Sequence, residues 1–209
     1  MGIVNFELFL LAGILLNLTP GNDTIFILGK SLSHGKTTGI YSALGIGAGS
    51  LIHTLLAAFG LSIIVAESEI AFNFIKYLGS LYLVFLGFKM IFTRSNTNVV
   101  ADNRGQNNAR IFWSAVLTNV LNPKVAIFFL AFLPQFIDPS TKTSFVAFVL
   151  LGLTFTVTGT LWGITLAFFS SKIHGRLSGS SSLKIWMNRI SGLTFIGLGV
   201  KLALTSRLK

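Results

Sequence analysis

The chain has no cysteine, which excludes disulfides, thiolate metal sites and dithiol electron relays and leaves the redox compartment open. Charge is scarce too. Only 11% of residues are Asp, Glu, Lys or Arg, and six of the 209 are acidic, where a water-soluble domain carries about 25% charged residues. With 52% hydrophobic residues and a mean hydropathy of +0.77, the composition is that of an integral membrane protein. No basic residue precedes Lys30, so the first apolar stretch lacks the charged start of a cleavable signal peptide and reads as a retained helix.

What is present is apolar length. A membrane-crossing helix needs about 20 apolar residues, and six stretches qualify: about 3–28, 39–65, 70–92, 111–137, 143–171 and 185–205. They leave no room for a soluble catalytic domain, so function is sought within the bilayer. The net charge of +10 would suggest nucleic acid in a soluble chain, but here sidedness explains it and no nucleic-acid partner is expected. The loops after spans one, three and five hold Lys30, Lys36, Lys89, Arg94, Arg104, Arg110, Lys172, Arg176, Lys184 and Arg189. The other side holds Lys76, Lys142, Lys201, Arg207 and Lys209. The excess puts the odd-numbered loops in the cytoplasm and both termini outside.

Two interruptions organise these spans. Asn17-Leu18-Thr19-Pro20-Gly21-Asn22-Asp23 sets proline, glycine and polar residues inside the first. Proline removes a backbone donor and stops or kinks the helix, and Asn22 and Asp23 stand where they would cap a second half-helix. Asn119-Val120-Leu121-Asn122-Pro123-Lys124 repeats the pattern inside the fourth span. Between them, the polar, basic stretch 93–110 has no apolar periodicity and divides the chain into 1–92 and 111–209. Leu86-Gly87-Phe88-Lys89 and Leu198-Gly199-Val200-Lys201 echo each other at the third span of each half. Three spans are an odd number, so the second half inserts upside down relative to the first. The predicted fold is all-α: six transmembrane helices as two inverted three-helix repeats with broken first helices, an arrangement found in secondary transporters.

Other motifs read as structure. Gly29 to Thr37 resembles a phosphate loop, but five residues separate its glycines where four are needed, and no buried strand precedes it. Gly45 and Gly49, four apart, suit close helix packing. Tyr41, Tyr77, Trp113 and Trp186 fall near span ends as an interfacial belt requires, while Trp162 lies inside span five, to wall a pocket or to pack. His53 lies one turn beyond Gly49 and is assigned a supporting role behind the site. His34 and His174 lie in loops, so no metal site is expected.

The segment Asn17 to Asp23, the small-residue second span, and Asn119 to Lys124 continuing through Val125-Ala126-Ile127-Phe128-Phe129-Leu130-Ala131-Phe132-Leu133-Pro134-Gln135-Phe136 resemble the LysE superfamily of amino-acid exporters over nearly the whole chain. The closer likeness is to its RhtB branch, the homoserine and threonine exporters. The family's first break usually reads Pro-Gly-Pro, and here Asn22 replaces the second proline. The resemblance implies proton-driven export of a small amino acid across a bacterial inner membrane, with no cofactor.

The residues themselves say what such a site needs. An amino acid carries a carboxylate and an ammonium. Half-helix N-termini and Lys124 suit the first. Asp23, an acidic residue inside a span beside a break, suits the second and is the candidate proton-coupling group; the structural alternative is a cap paired with Lys124. The candidate substrate-binding residues are Asn17, Thr19, Pro20, Gly21, Asp23, Asn119, Asn122, Pro123 and Lys124. A cation or divalent-metal efflux carrier would want more acidic or histidine ligands in the spans than Asp23 and His53. An intramembrane enzyme would want a nucleophile with its base, and none is evident. A second buried carboxylate for a basic cargo is also lacking, which favours a neutral one such as threonine, homoserine or leucine. The small-residue faces suit a homodimer.

Overall fold

A computed structural model describes residues 2–61, 69–92, 107–138, 144–170 and 181–204. Helix α1, Phe6–Leu18, is apolar around its circumference, with Phe9, Ala12 and Leu16 buried and Leu11 and Leu18 exposed, as expected of a helix with lipid on one side. It stops because Pro20 cannot continue the hydrogen-bond ladder and pushes the residue before it out of helical geometry: Thr19 is extended, at φ −66° and ψ 120°. Helix α2, Asn22–His34, leaves at 48° to α1. Asn22 and Asp23 were expected to cap it. They fall one and two positions too late: Gly21 is the cap residue and no side chain caps the end, so both lie inside the first turn.

Helix α3, Lys36–Leu56, runs on through a π-helical turn, Ala57–Leu61; α4 is Glu69–Phe92. The proposed divider 93–110 lies outside the described residues up to 106, with Arg94 and Arg104 in it. Helix α5, Asn108–Val120, starts at Asn107, whose side chain accepts from Ala109 N at 3.1 Å. The second break follows. Asn122 caps α6, Pro123–Ile127, by accepting from Lys124 N at 3.1 Å, and Pro123 takes the first helical position, where its missing donor costs nothing. The chain continues as a π-helical turn, Phe128–Phe132, and a 3-10 turn, Leu133–Phe136, at 50° to α5. Helices α7, Ser144–Phe168, and α8, Ser181–Leu204, complete the bundle.

This is an all-α membrane protein. Among the described residues, three unbroken helices and two bent pairs have the length and hydropathy to cross a bilayer. The sixth expected span lies within α8, whose apolar part is Gly192–Leu204. The basic loop residues Lys172 and Arg176 lie outside the described residues, as do Lys142, Arg207 and Lys209. Lys76, expected on the outer side, is buried in α4 with its ammonium over the Tyr77 ring at 4.5 Å.

Packing rests on small residues, because lipid is as apolar as the helices and supplies no hydrophobic drive between them. Gly45 and Gly49 of α3 lie against Phe112, Ala115, Val116 and Asn119 of α5, so those helices run parallel. Gly47 faces Thr160, and Thr54 faces Gly152, so α3 and α7 run antiparallel. Gly13 and Asn17 of α1 meet Phe155 and Gly159 of α7, again parallel. Helices α4 and α8 are antiparallel, Gly87 against Gly192 and Ser80 donating to the Gly199 carbonyl at 2.6 Å. An aromatic cluster fills the volume beside the second break: Phe128 stacks on Phe155 at 4.7 Å, and Phe9 meets Phe136 edge-on at 5.3 Å.

Candidate functional site

Breaking a helix in a membrane leaves carbonyls at one end and amides at the other with no water to satisfy them. The two breaks satisfy each other. The Lys124 ammonium, at the second, donates to the carbonyls of Leu16 and Thr19 at the end of α1, 3.0 Å to each. A cation there meets the negative end of the α1 dipole. Thr19 Oγ1 donates to the Leu15 carbonyl at 2.6 Å. The lysine side chain passes beside Gly21, where a Cβ would stand 3.4 Å from Lys124 Nζ, in ordinary van der Waals contact.

Asp23 sits in the first turn of α2, at the positive end of that half-helix. Its Oδ2 accepts from Asn119 Nδ2 at 2.8 Å, and Asn119 Oδ1 accepts from Ser50 at 3.3 Å. Behind Asn119, His53 Nε2 lies 3.2 Å from the Asn119 carbonyl, and its ring stacks on Phe129. Asn17 donates to Thr158 Oγ1 at 3.2 Å and to the Phe155 carbonyl at 3.4 Å. A direct Asp23–Lys124 pair was one expectation. Instead the carboxylate takes Asn119 and the ammonium takes the α1 carbonyls. Lys124, expected to meet a substrate carboxylate, is committed here to closing the broken helix.

Asn17, Asp23, Asn119 and Lys124 line one small cavity. It measures about 40 Å³, room for a few water molecules. An amino acid needs the walls to part. Thr19 reaches the site through its carbonyl; Pro20, Gly21, Asn122 and Pro123 shape the breaks without lining the cavity, and His53 lies outside it. Sequence reasoning missed most of the opposite wall, which α7 supplies: Thr156, Gly159, Thr160 and Gly163, alongside Trp162. The signal was there. Gly152, Thr156, Gly159 and Gly163 recur at helical spacing and form a small and polar stripe on an otherwise apolar helix. Asp23 Oδ1, Thr156 Oγ1 and Trp162 Nε1 are buried without a hydrogen-bond partner. Among the described residues, no three of His, Cys, Asp and Glu come together as a metal ion would require.

A family model described as LysE type translocator matches residues 14–206. The chain is 30% identical over 208 residues to a leucine efflux protein of Klebsiella pneumoniae, covering 97% of this chain and 96% of that one. It is 32% identical over 197 residues to an uncharacterized membrane protein of Vibrio cholerae, covering 93% and 94%. To the uncharacterized membrane protein YrhP of Bacillus subtilis it is 30% identical over 195 residues, covering 89% and 92%. No solved structure matches it.

Proposed function

Since the chain belongs to the LysE-type translocator family, we propose that it exports a neutral amino acid of the leucine, threonine or homoserine type across the bacterial inner membrane in exchange for protons. Leucine leads, because relatives of nearly equal length carry the name leucine efflux protein. The observation that carries this reading is the meeting of the two breaks in one polar cavity, with Asp23 and Lys124 both on its wall. The aliphatic remainder of the wall, Ile27, Ile46 and Leu166 among it, suits an uncharged side chain.

The inverted three-helix repeat is part of the same proposal. Exchanging α1 with α5, α3 with α7 and α4 with α8 turns the parallel pair α1–α7 into the parallel pair α5–α3. The antiparallel pairs α3–α7 and α4–α8 map onto themselves. The observed contacts keep to this exchange, which supports two halves, 1–92 and 111–209, related by an axis in the membrane plane. The cavity lies between them.

In the proposed cycle the ionised Asp23 carboxylate holds the substrate ammonium while the site faces the cytoplasm. Protonation from the outside removes that attraction and releases the cargo, and the return step delivers the proton inside. Asn17, Asn119 and the Thr19 carbonyl orient the polar end of the substrate. In cells that overproduce the protein and are fed a leucine-containing dipeptide, external leucine should rise and internal leucine fall, with both effects lost when a protonophore collapses the gradient. No change for leucine, threonine or homoserine would end this reading.

A further inference from the structure

Buried polar side-chain atoms in folded proteins are nearly always paired, and exceptions call for a ligand or a water. Three such exceptions belong to residues that line one cavity: Asp23 Oδ1, Thr156 Oγ1 and Trp162 Nε1. Thr156 is the most telling. A threonine inside an apolar helix ordinarily returns its hydroxyl to the carbonyl four residues back, and in α7 Thr154, Thr158 and Thr165 do so at 2.8, 3.0 and 2.9 Å. Thr156 is only 7% exposed and makes no such bond. That leaves its hydroxyl without a protein partner.

The positions of the three atoms fit a zwitterion. Gly47 faces Thr160 and Thr54 faces Gly152 across the antiparallel α3–α7 contact, which sets Thr156 level with Ser50. Across the α2–α7 contact Ile27 meets Gly163 and Ser31 donates to the Ala167 carbonyl, which sets Asp23, four residues before Ile27, level with Gly159, about one turn from Thr156. Trp162 lies six residues farther along α7, about 9 Å at 1.5 Å per residue. Helical side chains lean toward their own N-terminus, which tilts the indole back toward Thr156. The Thr156 end thus offers a hydroxyl, with the Asp23 carboxylate midway along the wall. The other offers an N–H that can only donate.

We infer that Thr156 and Trp162 are substrate-binding residues that read the two poles of the amino acid: the Thr156 hydroxyl accepts from the α-ammonium beside Asp23, and the Trp162 indole N–H donates to the α-carboxylate. The inference rests on the export reading for the nature of the cargo. It also gives the carboxylate a partner while Lys124 stays on the α1 carbonyls, so the broken helix need not be opened to bind.

The test removes matching groups from protein and ligand. Binding to the purified protein is read as thermal stabilisation, with leucine, with 3-methylbutylamine, which lacks the carboxylate, and with 4-methylpentanoate, which lacks the ammonium. Trp162→Phe should weaken leucine and 4-methylpentanoate about tenfold or more, as loss of a hydrogen bond to a charged group does, and leave the amine unchanged. Thr156→Val should weaken leucine and the amine and leave the acid unchanged, with Thr156→Ser restoring both. Melting temperatures without ligand report whether each variant folds. Equal losses for all three ligands, or none, would overturn the assignment of poles. Proteoliposome transport separates the two ideas: wild-type protein that binds with the expected pattern but carries nothing would end the export reading and leave the poles standing, whereas transport with indiscriminate losses would do the reverse.

Discussion

Asp23 has two oxygens in different circumstances, and the difference sets its role. Oδ2 is held by Asn119 at 2.8 Å, whereas Oδ1 is buried with no partner. A carboxylate needed only to stitch α2 to α5 would use both oxygens on protein. Asp23→Asn keeps an oxygen for Asn119 Nδ2 and loses the charge. A hydrogen bond to a charged partner is worth about 1.5–3 kcal/mol, so substrate affinity should fall about 10- to 150-fold and gradient-driven export should vanish, with the amount of protein in the membrane unchanged. Normal export by this variant, measured beside an immunoblot of the membranes, would return Asp23 to a structural role. At this scale the sequence was legible where a residue type is rare for its surroundings: an aspartate, three asparagines and a lysine near prolines inside apolar spans stood out, and all but Asn122 line the cavity. Thr156 was legible only as a member of the small and polar stripe of α7. Threonines are common in membrane helices and usually bond to their own backbone, so what marks Thr156 is burial together with the missing bond, and that is a property of the fold.

Among elements, α3 is the one that α2, α5 and α7 are laid against, and its glycines are the means. A Cβ at Gly45 would run into the Phe112 carbonyl and stand 2.7 Å from Ala115 Cβ, whereas one at Gly60, in the π-helical turn beyond α3, would meet nothing within 4 Å. Backbone cannot yield as a flexible side chain can. Overpacking of this kind costs about 1–3 kcal/mol, so Gly45→Ala should lower the melting temperature of the detergent-solubilised protein clearly and Gly60→Ala hardly at all. Equal effects would mean that the α3–α5 contact is looser than drawn. The Gly45–Gly49 spacing announced a packing face in the sequence, but not which helix it met, because partner choice depends on residues some 70 positions away. The helix breaks were legible for a local reason, since proline acts on its own turn. Their caps were half legible: Asn122 precedes its proline and caps, whereas Asn22 follows Gly21 and is already helical.

For the whole molecule, contacts between distant segments define two ends. Val4 N donates to the Phe136 carbonyl at 2.9 Å and Asp138 N to the Gly2 carbonyl at 2.7 Å, so the N-terminus and the chain after the second break share one end. Ser31 donates to Ser170 at 3.0 Å, and Lys36 stands over the Phe168 ring, so the α2–α3 turn and the end of α7 share the other. The second end carries Lys30 and Lys36, the cytoplasmic end if positive charge stays inside. Crossing number then decides where the C-terminus goes. If α8 crosses, six spans return the chain to the outside; if only its apolar part dips in, five leave it in the cytoplasm. The absence of native cysteine makes this measurable without background. In intact cells a membrane-impermeant maleimide should label Lys142→Cys and Lys209→Cys, and should label Thr37→Cys only after permeabilisation. Labelling of Thr37→Cys from outside would turn the molecule over. Labelling of Lys142→Cys with Lys209→Cys protected would remove the sixth crossing, and with it the inverted repeat, because a half with two crossings cannot mirror one with three.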